Sequence, residues 1–493
     1  MIGCVGVREL LDVSSQRIIR ILEVLAIQEG WITLSELSSA VDASERTIAE
    51  DISALKRHWG RKLNIESSRK YGVRLLNQNA ASIGLVFTDL FNQSVALGWL
   101  KELLFHPNNS IEFYENKLFA SRSTLIRLLP KMNRFLSDRG MKIQYQNNKY
   151  QLLGKDEHYL RDFSASFILE LYGLNPQNYD IPIDLKVIQD LFLSALEKNL
   201  DPAKLAWIIN DDISIAYLIM FYFVSLVRED QGYIVHSDYP VESEIDSQNL
   251  SCLQIYFPNL NIDNLRPIHH YIFNQFNGWD SDAEKVLVMR EAEAFLTQIF
   301  AIIPVLLDEE KLCMLRFFLE SLYLKAKFRP YNTSVLFNRI YYFSLSLKRT
   351  NQPLYQVLQE NTKAFLKNVN LKVTSNTSDV IFWLCLACPE LCGFSRKRSA
   401  LLIYDFGKAH AEFLVKFLST FFDKGNFDSL QIDIASYPDA LTLAMPENYD
   451  ILITTIPDLP VSNQQIFLIN DYPSYNDLCA IYQGVMNNFT HKE

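Results

Sequence analysis

When the sequence is shifted by 77 residues, one part of this chain falls on another. "ASERTIAEDISALKRHW" (43–59) meets "ASRSTLIRLLPKMNRFL" (120–136). Ile48, Ile52, Leu55 and Trp59 fall on Leu125, Leu129, Met132 and Leu136. That i, i+4, i+7, i+11 spacing makes one buried stripe on a helix. The register extends upstream. Thr33-Leu34 meets Ser110-Ile111, Leu37 meets Tyr114, and Val41 meets Leu118. A repeated pattern of this kind constrains the fold more than any single segment could, because each copy must be the same supersecondary unit.

Each copy reads as helix, tight turn, helix. Thr33 can cap the first helix and Glu36 completes a capping box. Ala43 is small at the turn, and Ser44 can cap the second helix. A hairpin pattern follows each pair, "LNIESSRKYGVRLL" (63–76) and "MKIQYQNNKYQLLG" (141–154), with Lys-Tyr in both. These are the parts of a winged helix–turn–helix, whose wing grips phosphate beside the groove. Two such units are expected, at 1–77 and 78–155. A single helical hairpin would be weak support, since scaffold repeats share the pattern. Two copies with wings on a basic segment are much stronger.

The charge is asymmetric. Residues 1–155 hold 21 Lys and Arg against 15 Asp and Glu, a net of +6, while the rest hold 26 against 42, a net of −16. A basic head on an acidic body points to a polyanion partner for the head alone. Opposite the buried stripe, the first copy presents Arg46, Glu50, Ser53 and Arg57, and the second Ser123, Arg127, Pro130 and Arg134. The candidate DNA-facing residues are Ser44, Arg46, Thr47 and Arg57 in the first copy and Ser121, Arg122, Ser123, Thr124, Arg127 and Arg134 in the second. Lys70, Tyr71, Lys142 and Lys149 are expected on or near the wings. The acids Glu45, Glu50 and Asp51 are anomalous on a groove-reading helix. Glu45 suits the helix dipole, and Glu50 could accept from cytosine. Pro130 is expected to kink the second helix after two intact turns.

Glycine numbers only 16 in 493 residues, against roughly 7 % in average proteins. Few turns of positive φ follow, hence a mostly α, multidomain chain with small β content. No segment reaches the roughly 20 apolar residues a bilayer span needs, so no membrane partner is expected. "ISIAYLIMFYFVSLV" (213–227) reads as a buried core helix. Seven scattered cysteines and no signal peptide suggest a cytoplasmic setting. "CLACPELC" (385–392) contains C-x-x-C, but no second ligand pair lies nearby. Small core residues near a helix end are the better reading, with neither metal nor cofactor.

From about 158 to 393 long amphipathic helices alternate with short loops, in groups at 156–277 and 278–394. A basic tandem helix–turn–helix head followed by two such bundles resembles the Mga/AtxA-like virulence regulators of Gram-positive bacteria. The resemblance implies bundles like phosphotransferase-system regulation domains, which can be phosphorylated on histidine by the phosphocarrier protein. No histidine lies between 271 and 409, so the second bundle cannot accept phosphate that way. In the first, the helix position often held by histidine is aromatic, and His236 in the following polar loop is the candidate acceptor.

Past "SRKRS" (395–399) strands alternate with helices: strands at 400–405, 430–436, 449–455 and 466–470, helices at 408–422 and 475–489. A small parallel α/β sheet is expected over 395–493. It resembles the enzyme IIB component of the phosphotransferase system. The loop that carries the nucleophilic cysteine there reads "YDFGKAHAEF" here. It offers Asp405, Lys408 and His410 but no cysteine, so a non-catalytic module for oligomerisation or sensing is expected.

No Walker loop, dinucleotide fingerprint or nucleophile elbow is present, so no enzyme is expected. The expected function is a DNA-binding transcriptional regulator of global or virulence type, responsive to phosphotransferase status. It would act on double-stranded DNA as a homodimer or higher homo-oligomer. A phosphorelay carrier or enzyme, and an RNA-binding antiterminator, are the alternatives.

Overall fold

The computed structural model describes residues 5–28, 30–76, 80–173, 185–209, 212–235, 247–303, 305, 307–328, 335–336, 338–371, 373–394, 398–422, 430–442, 448–457, 459 and 465–486. It is mostly helical, with two small hairpins and one parallel sheet. Two compact units divide the chain: Met1–Gly278 with Leu324–Arg339, and Trp279–Tyr323 with Ile340–Glu493.

The first unit opens with α1 (Val5–Arg8), α2 (Val13–Ile27), α3 (Leu34–Val41) and α4 (Glu45–Trp59), then the strands β1 (Ile65–Ser68) and β2 (Gly72–Leu75). The pattern recurs in α5 (Ala80–Asn92), α6 (Val95–Phe105), α7 (Ile111–Leu118) and α8 (Arg122–Ser137), with β3 (Met141–Gln146) and β4 (Lys149–Gly154). In the first copy α2 packs on α3, α4 and β2; in the second α6 packs on α7, α8 and β4. Core positions follow the 77-residue shift: Leu22 and Trp99, Leu37 and Tyr114, Ile48 and Leu125, and Leu55 and Met132 are all buried. So do backbone features absent from the periodicity. The turn between the paired helices is left-handed at Asp42 (φ 60) and at Phe119 (φ 50). Bridges Ile32–Val73 and Asn109–Tyr150 add a third short strand to each hairpin. The α8 helix continues through Pro130 to Ser137.

Six further helices complete this part of the unit: α9 (Glu157–Tyr172), α10 (Leu185–Asn199), α11 (Pro202–Ile209), α12 (Asp212–Asp230), α13 (Ser247–Gln254) and α14 (Ile262–Asn277). The apolar run inside α12 is buried core from Leu218 to Val227, as its composition suggested. No single helix among the described residues is long and apolar enough to cross a membrane. Charges are buried too. Arg161 on α9 donates to Glu229 on α12 at 2.7 Å and to the Tyr233 carbonyl at 2.7 Å. Arg228 grips Glu157 through two nitrogens, both at 2.8 Å. Arg161, Arg228 and Glu229 are almost wholly buried, a placement tolerated only when charges are paired and hydrogen-bonded.

The second unit holds most of α15 (Asp282–Ile302), α16 (Glu309–Phe328), α17 (Arg339–Thr350), α18 (Gln352–Asn368) and α19 (Val373–Ala387), closed by a 3-10 turn, Pro389–Gly393. One apolar core joins them, with Phe295, Leu315, Leu358 and Ile381 inside it. Then come β5 (Arg398–Tyr404), α20 (Lys408–Phe422), β6 (Leu430–Ser436), α21 (Tyr437–Thr442), β7 (Ile451–Thr454), β8 (Gln465–Leu468) and α22 (Tyr475–Met486). The four strands are all parallel in the order β6-β5-β7-β8. Both faces of this sheet are covered, as parallel sheets require. Ala400, Leu402 and Ile453 pack with α20 and α22 residues, whereas Leu401, Ile403 and Leu452 pack with Ala440 of α21. The sequence reading of a small parallel α/β sheet is met here strand by strand. The helices α11, α13, α14 and α18 were not anticipated from periodicity, and of α19 only the cysteine-bearing end was read as helix.

Candidate nucleic-acid interface

The first copy is organised by caps. Thr33 accepts from the Glu36 backbone at 3.2 Å, and Glu36 accepts from the Thr33 amide at 2.9 Å. The Thr33 hydroxyl also donates to that carboxylate at 2.7 Å, and this bond, with the one from the Thr33 amide, holds the Glu36 carboxyl below its usual range. Ser44 caps α4 by accepting from the Thr47 amide at 3.2 Å, and its hydroxyl meets that of Thr47 at 2.8 Å. Ser121 caps α8 through the Thr124 amide at 3.3 Å and also meets the Ser123 and Thr124 hydroxyls, each at 2.9 Å. The candidate hydroxyls thus build the helix starts on which the candidate arginines are mounted.

The arginine rows face outward. Arg46, Glu50, Ser53 and Arg57 are exposed on α4, and Ser123, Arg127, Pro130 and Arg134 on α8. The three acids have separate fates. Asp51 is buried and paired with Arg17 of α2, and its hydrogen bond raises the Arg17 guanidinium above its ordinary range. It ties two helices together and is not on the outer row. Glu50 meets Arg46 at 3.1 Å on an open surface. Such an i, i+4 pair contributes only about 0.3–0.5 kcal/mol, yet it occupies the best-placed cation of the first copy. Glu45 sits exposed in the first turn of α4.

In sequence α8 has no acid before Asp138, but in space it borrows three. Arg122 meets Glu112 of α7 at 3.3 Å, and its backbone amide donates to Glu115 at 2.6 Å. Arg134 approaches Glu9 at 3.8 Å. Arg127 is exposed and has no ion-pair partner among the described residues.

Wing one carries Lys70 and Tyr71 at its turn, both exposed, with the ammonium 5.1 Å from the ring centre. The sequence reading missed a neighbour. Trp31 lies 5.9 Å from Tyr71, and Arg74 sits over the Trp31 ring at 4.6 Å. Only the strand bridge at Ile32 brings Trp31 to the wing, and no periodicity signals that. Wing two closes on Asn147 and Asn148, both at positive φ, a two-residue turn suited to the twist of a hairpin. Lys142 and Lys149 are exposed on its strands. Asn133 of α8 straps this wing, donating to the Ile143 carbonyl at 3.3 Å and accepting its amide at 2.6 Å. Lys56, 77 positions earlier, reaches Ser67 of wing one at 2.7 Å.

His236 lies outside the described residues. Of two other histidines of the first unit, His158 is half-buried and His269 is buried. His158 stacks on Tyr271 at 4.3 Å, and burial pushes it down to about 4. His269 is 3 % exposed with neither ring nitrogen hydrogen-bonded, and burial pushes it down to about 4 as well. An imidazole held below its unfolded value near 6.5 lets the unfolded chain bind the proton first. Stability is therefore complete above pH 6.5 and falls as pH drops toward 4. His269 alone should lower the stability of the first unit by about 2 kcal/mol at pH 5 relative to pH 7. His269→Leu should flatten the change in urea midpoint between those two pH values; an unaltered dependence would show that His269 does not carry it.

In the C-terminal module His410 meets the Asp471 carbonyl at 2.8 Å, and Lys408 lies 3.9 Å from Glu412. Asp405 is 3.4 Å from the Thr455 hydroxyl. No group of three or more metal-ligating side chains occurs among the described residues.

Comparison with known proteins bears on the head. Residues 14–70 match the family described as the M protein trans-acting positive regulator (MGA) HTH domain, and residues 79–168 match the Mga helix-turn-helix domain. The chain is similar to a trans-acting regulator of Streptococcus pneumoniae serotype 4, 27 % identical over 34 % of this chain and 33 % of the relative. It is also similar to the capsule synthesis positive regulators AcpA and AcpB of Bacillus anthracis. The first is 24 % identical over 32 % of each chain, and the second 25 % identical over 46 % of this chain and 44 % of its own. These matches span between a third and a half of the relatives' length. Two adjoining family matches and three regulator relatives make the head of this chain similar to the Mga-type trans-acting positive regulators.

Proposed function

We propose that the chain is a transcriptional regulator that binds double-stranded DNA through two winged helix–turn–helix units. One observation carries this: caps, left-handed turns, outward arginine rows and bridged hairpins recur at a 77-residue offset on a segment of net charge +6. The helices α4 and α8 would enter the groove, and Lys70, Tyr71, Lys142 and Lys149 would sit against phosphate. The second unit should supply more affinity, because Arg46 is shared with Glu50 whereas Arg127 is not.

The test is fluorescence anisotropy of the full chain with duplex DNA across a salt series. The logarithm of affinity should fall linearly with that of salt, with a slope of about −0.9 per phosphate neutralised. Arg127→Ala should weaken binding by about tenfold or more, and Arg46→Ala by about twofold. Lys149→Ala should weaken all sequences alike and reduce the slope by about one. Salt-independent binding, or equal binding of a neutral control protein, would sink the reading.

We also infer a regulatory body, with helical bundles at 156–277 and 278–394 that resemble phosphotransferase regulation domains and an enzyme IIB-like module at 395–493. Helix order and the four-stranded parallel sheet support that division. In this reading the protein is a cytoplasmic homo-oligomer, and the phosphocarrier protein phosphorylates His236. Incubation with the phosphocarrier system should label wild type and not His236→Ala.

A further inference from the structure

Among the described residues Phe119 is the most exposed large hydrophobic side chain, at 97 %. It sits in the turn between α7 and α8 with φ 50, where a bulky residue is an outlier. The turn itself does not require it. In the first copy Asp42 takes the same left-handed place at φ 60. The backbone closes both turns alike: the Ala43 amide donates to the Ser38 carbonyl and the Ala120 amide to the Glu115 carbonyl, each at 3.2 Å. Phe119 therefore destabilises the fold twice, through a strained backbone and through an apolar ring left in water. An outlier of that kind, kept where the fold gains nothing from it, argues for contact with a partner.

Its place says which partner. Phe119 precedes by two residues Ser121, whose hydroxyl starts α8 by capping the Thr124 amide. One turn into α8, Ile126 is 50 % exposed, four residues on from Arg122 and next to Arg127. Helix positions four apart share one face. The leading end of α8 thus combines two exposed apolar side chains with the Arg122 and Arg127 guanidiniums and the Ser123 hydroxyl. Cations beside an apolar pair suit a polyanion that carries methyl groups. In the major groove thymine offers that group, the methyl on C5, between phosphate-lined walls. The first copy has Asp42 and Ala49 in the two corresponding places, an acid and a small residue.

We propose that Phe119 and Ile126 are specificity residues of the second unit, which read the C5-methyl groups of thymine in the major groove. The inference rests on duplex binding through α8 and adds the base chemistry that α8 selects. Apolar contact with this methyl reads a base edge without a hydrogen bond. Burial of one methyl group is worth about fourfold in affinity. Because the first unit lacks the pair, the thymine preference belongs to the stretch of DNA under the second.

The test is fluorescence anisotropy of the full chain with two duplexes of about 30 base pairs, or about three helical turns. One alternates adenine and thymine; the other has uracil in place of thymine and so lacks only the methyl group. Wild type should bind the thymine duplex about fourfold tighter or more. The double variant Phe119→Asn, Ile126→Ala should bind both alike, at the wild-type affinity for the uracil duplex. Its salt slope should be unaltered, because no phosphate contact is removed. Asparagine accepts a left-handed backbone and alanine favours helix, so this variant should melt no lower than wild type. Unfolding then cannot account for the loss. Arg127→Ala supplies the contrast: it should weaken both duplexes and keep the thymine preference. Equal binding of wild type to the two duplexes would overturn the assignment, as would a thymine preference that survives in the double variant. Self-association lost in the double variant, with DNA binding unaltered, would overturn it in favour of contact between chains. Absence of binding to either duplex would instead remove the reading of the head as a DNA-binding element, and the inference with it.

Discussion

Replacing Glu229 with alanine should destabilise the first unit by about 3–5 kcal/mol, the usual cost of removing one partner from a buried ion pair. Glu229 is 2 % exposed, and three groups converge on its carboxylate. Arg161 donates at 2.7 Å, the Val235 amide at 3.2 Å and the Asn264 amide at 3.1 Å, while Arg161 in turn holds the Tyr233 carbonyl. Without Glu229 the Arg161 guanidinium stays buried with Glu157 at 3.3 Å as its remaining carboxylate partner. Desolvation of that cation, rather than the lost bond, makes up most of the cost. Glu50→Ala, which breaks an exposed pair, should change stability by less than about 0.5 kcal/mol. Denaturant unfolding of both variants measures the contrast. Equal effects would mean that the buried network is solvated in solution.

The network also joins the second copy of the head to the helices behind it. Arg228 reaches the Leu152 carbonyl at 3.4 Å, and the Tyr233 hydroxyl reaches Gln151 at 3.3 Å. Gln231 donates to the carbonyls of Leu104 and Phe105, both at 3.2 Å. Hydrogen exchange in Glu229→Ala should therefore rise in β4 and at the end of α6 as well as in α9 and α12. A rise confined to α12 would mean that the head is seated independently of this network.

Much of this was legible in the sequence, and what was not has a common cause. The shift of 77 residues exposed both helix pairs and both hairpins, because apolar spacing records which face of a helix is buried. It could not say what a charged residue meets. Asp51 read as an anomaly on a DNA-facing helix until the fold brought it to Arg17, 34 positions away. The second helix read as free of acids until α7 delivered Glu112 and Glu115 to Arg122. Trp31 carried no signal because its partner Tyr71 is 40 residues later. The Glu229 cluster spans α9, α12 and α14, and α14 itself was not foreseen. Apart from the short α21, which was not foreseen, strand and helix limits in the C-terminal module were recovered closely, since alternating elements there are short and bounded by polar breaks.

Gly72→Ala should cost the first copy at least about 2 kcal/mol, a large value for the addition of one methyl group. Gly72 has φ +95, a region an L side chain rarely enters. A Cβ there would overlap the Ile32 carbonyl oxygen and lie 2.6 Å from the Thr33 Cα, both of them backbone that cannot swing aside. Those atoms belong to the bridge that docks wing one. The Ile32 amide donates to the Val73 carbonyl at 2.9 Å, and the Val73 amide returns the bond at 2.8 Å. Relief of the overlap must pull the bridge apart, unseat the buried Ile32 and Val73, and withdraw Trp31 from Tyr71 and Arg74. Thr33 then loses its place as the cap of α3. The second copy supplies the control. Position 149 corresponds to Gly72 and is lysine, because that hairpin turns earlier, at Asn147 and Asn148. Asn148→Gly keeps the left-handed turn and should leave stability unchanged or raise it by a few tenths of a kcal/mol. If wing one grips phosphate, Gly72→Ala should also weaken duplex binding and make its salt dependence shallower, while Asn148→Gly leaves both unaltered. A Gly72→Ala protein as stable as wild type would mean that wing one is not bridged to Ile32 in solution.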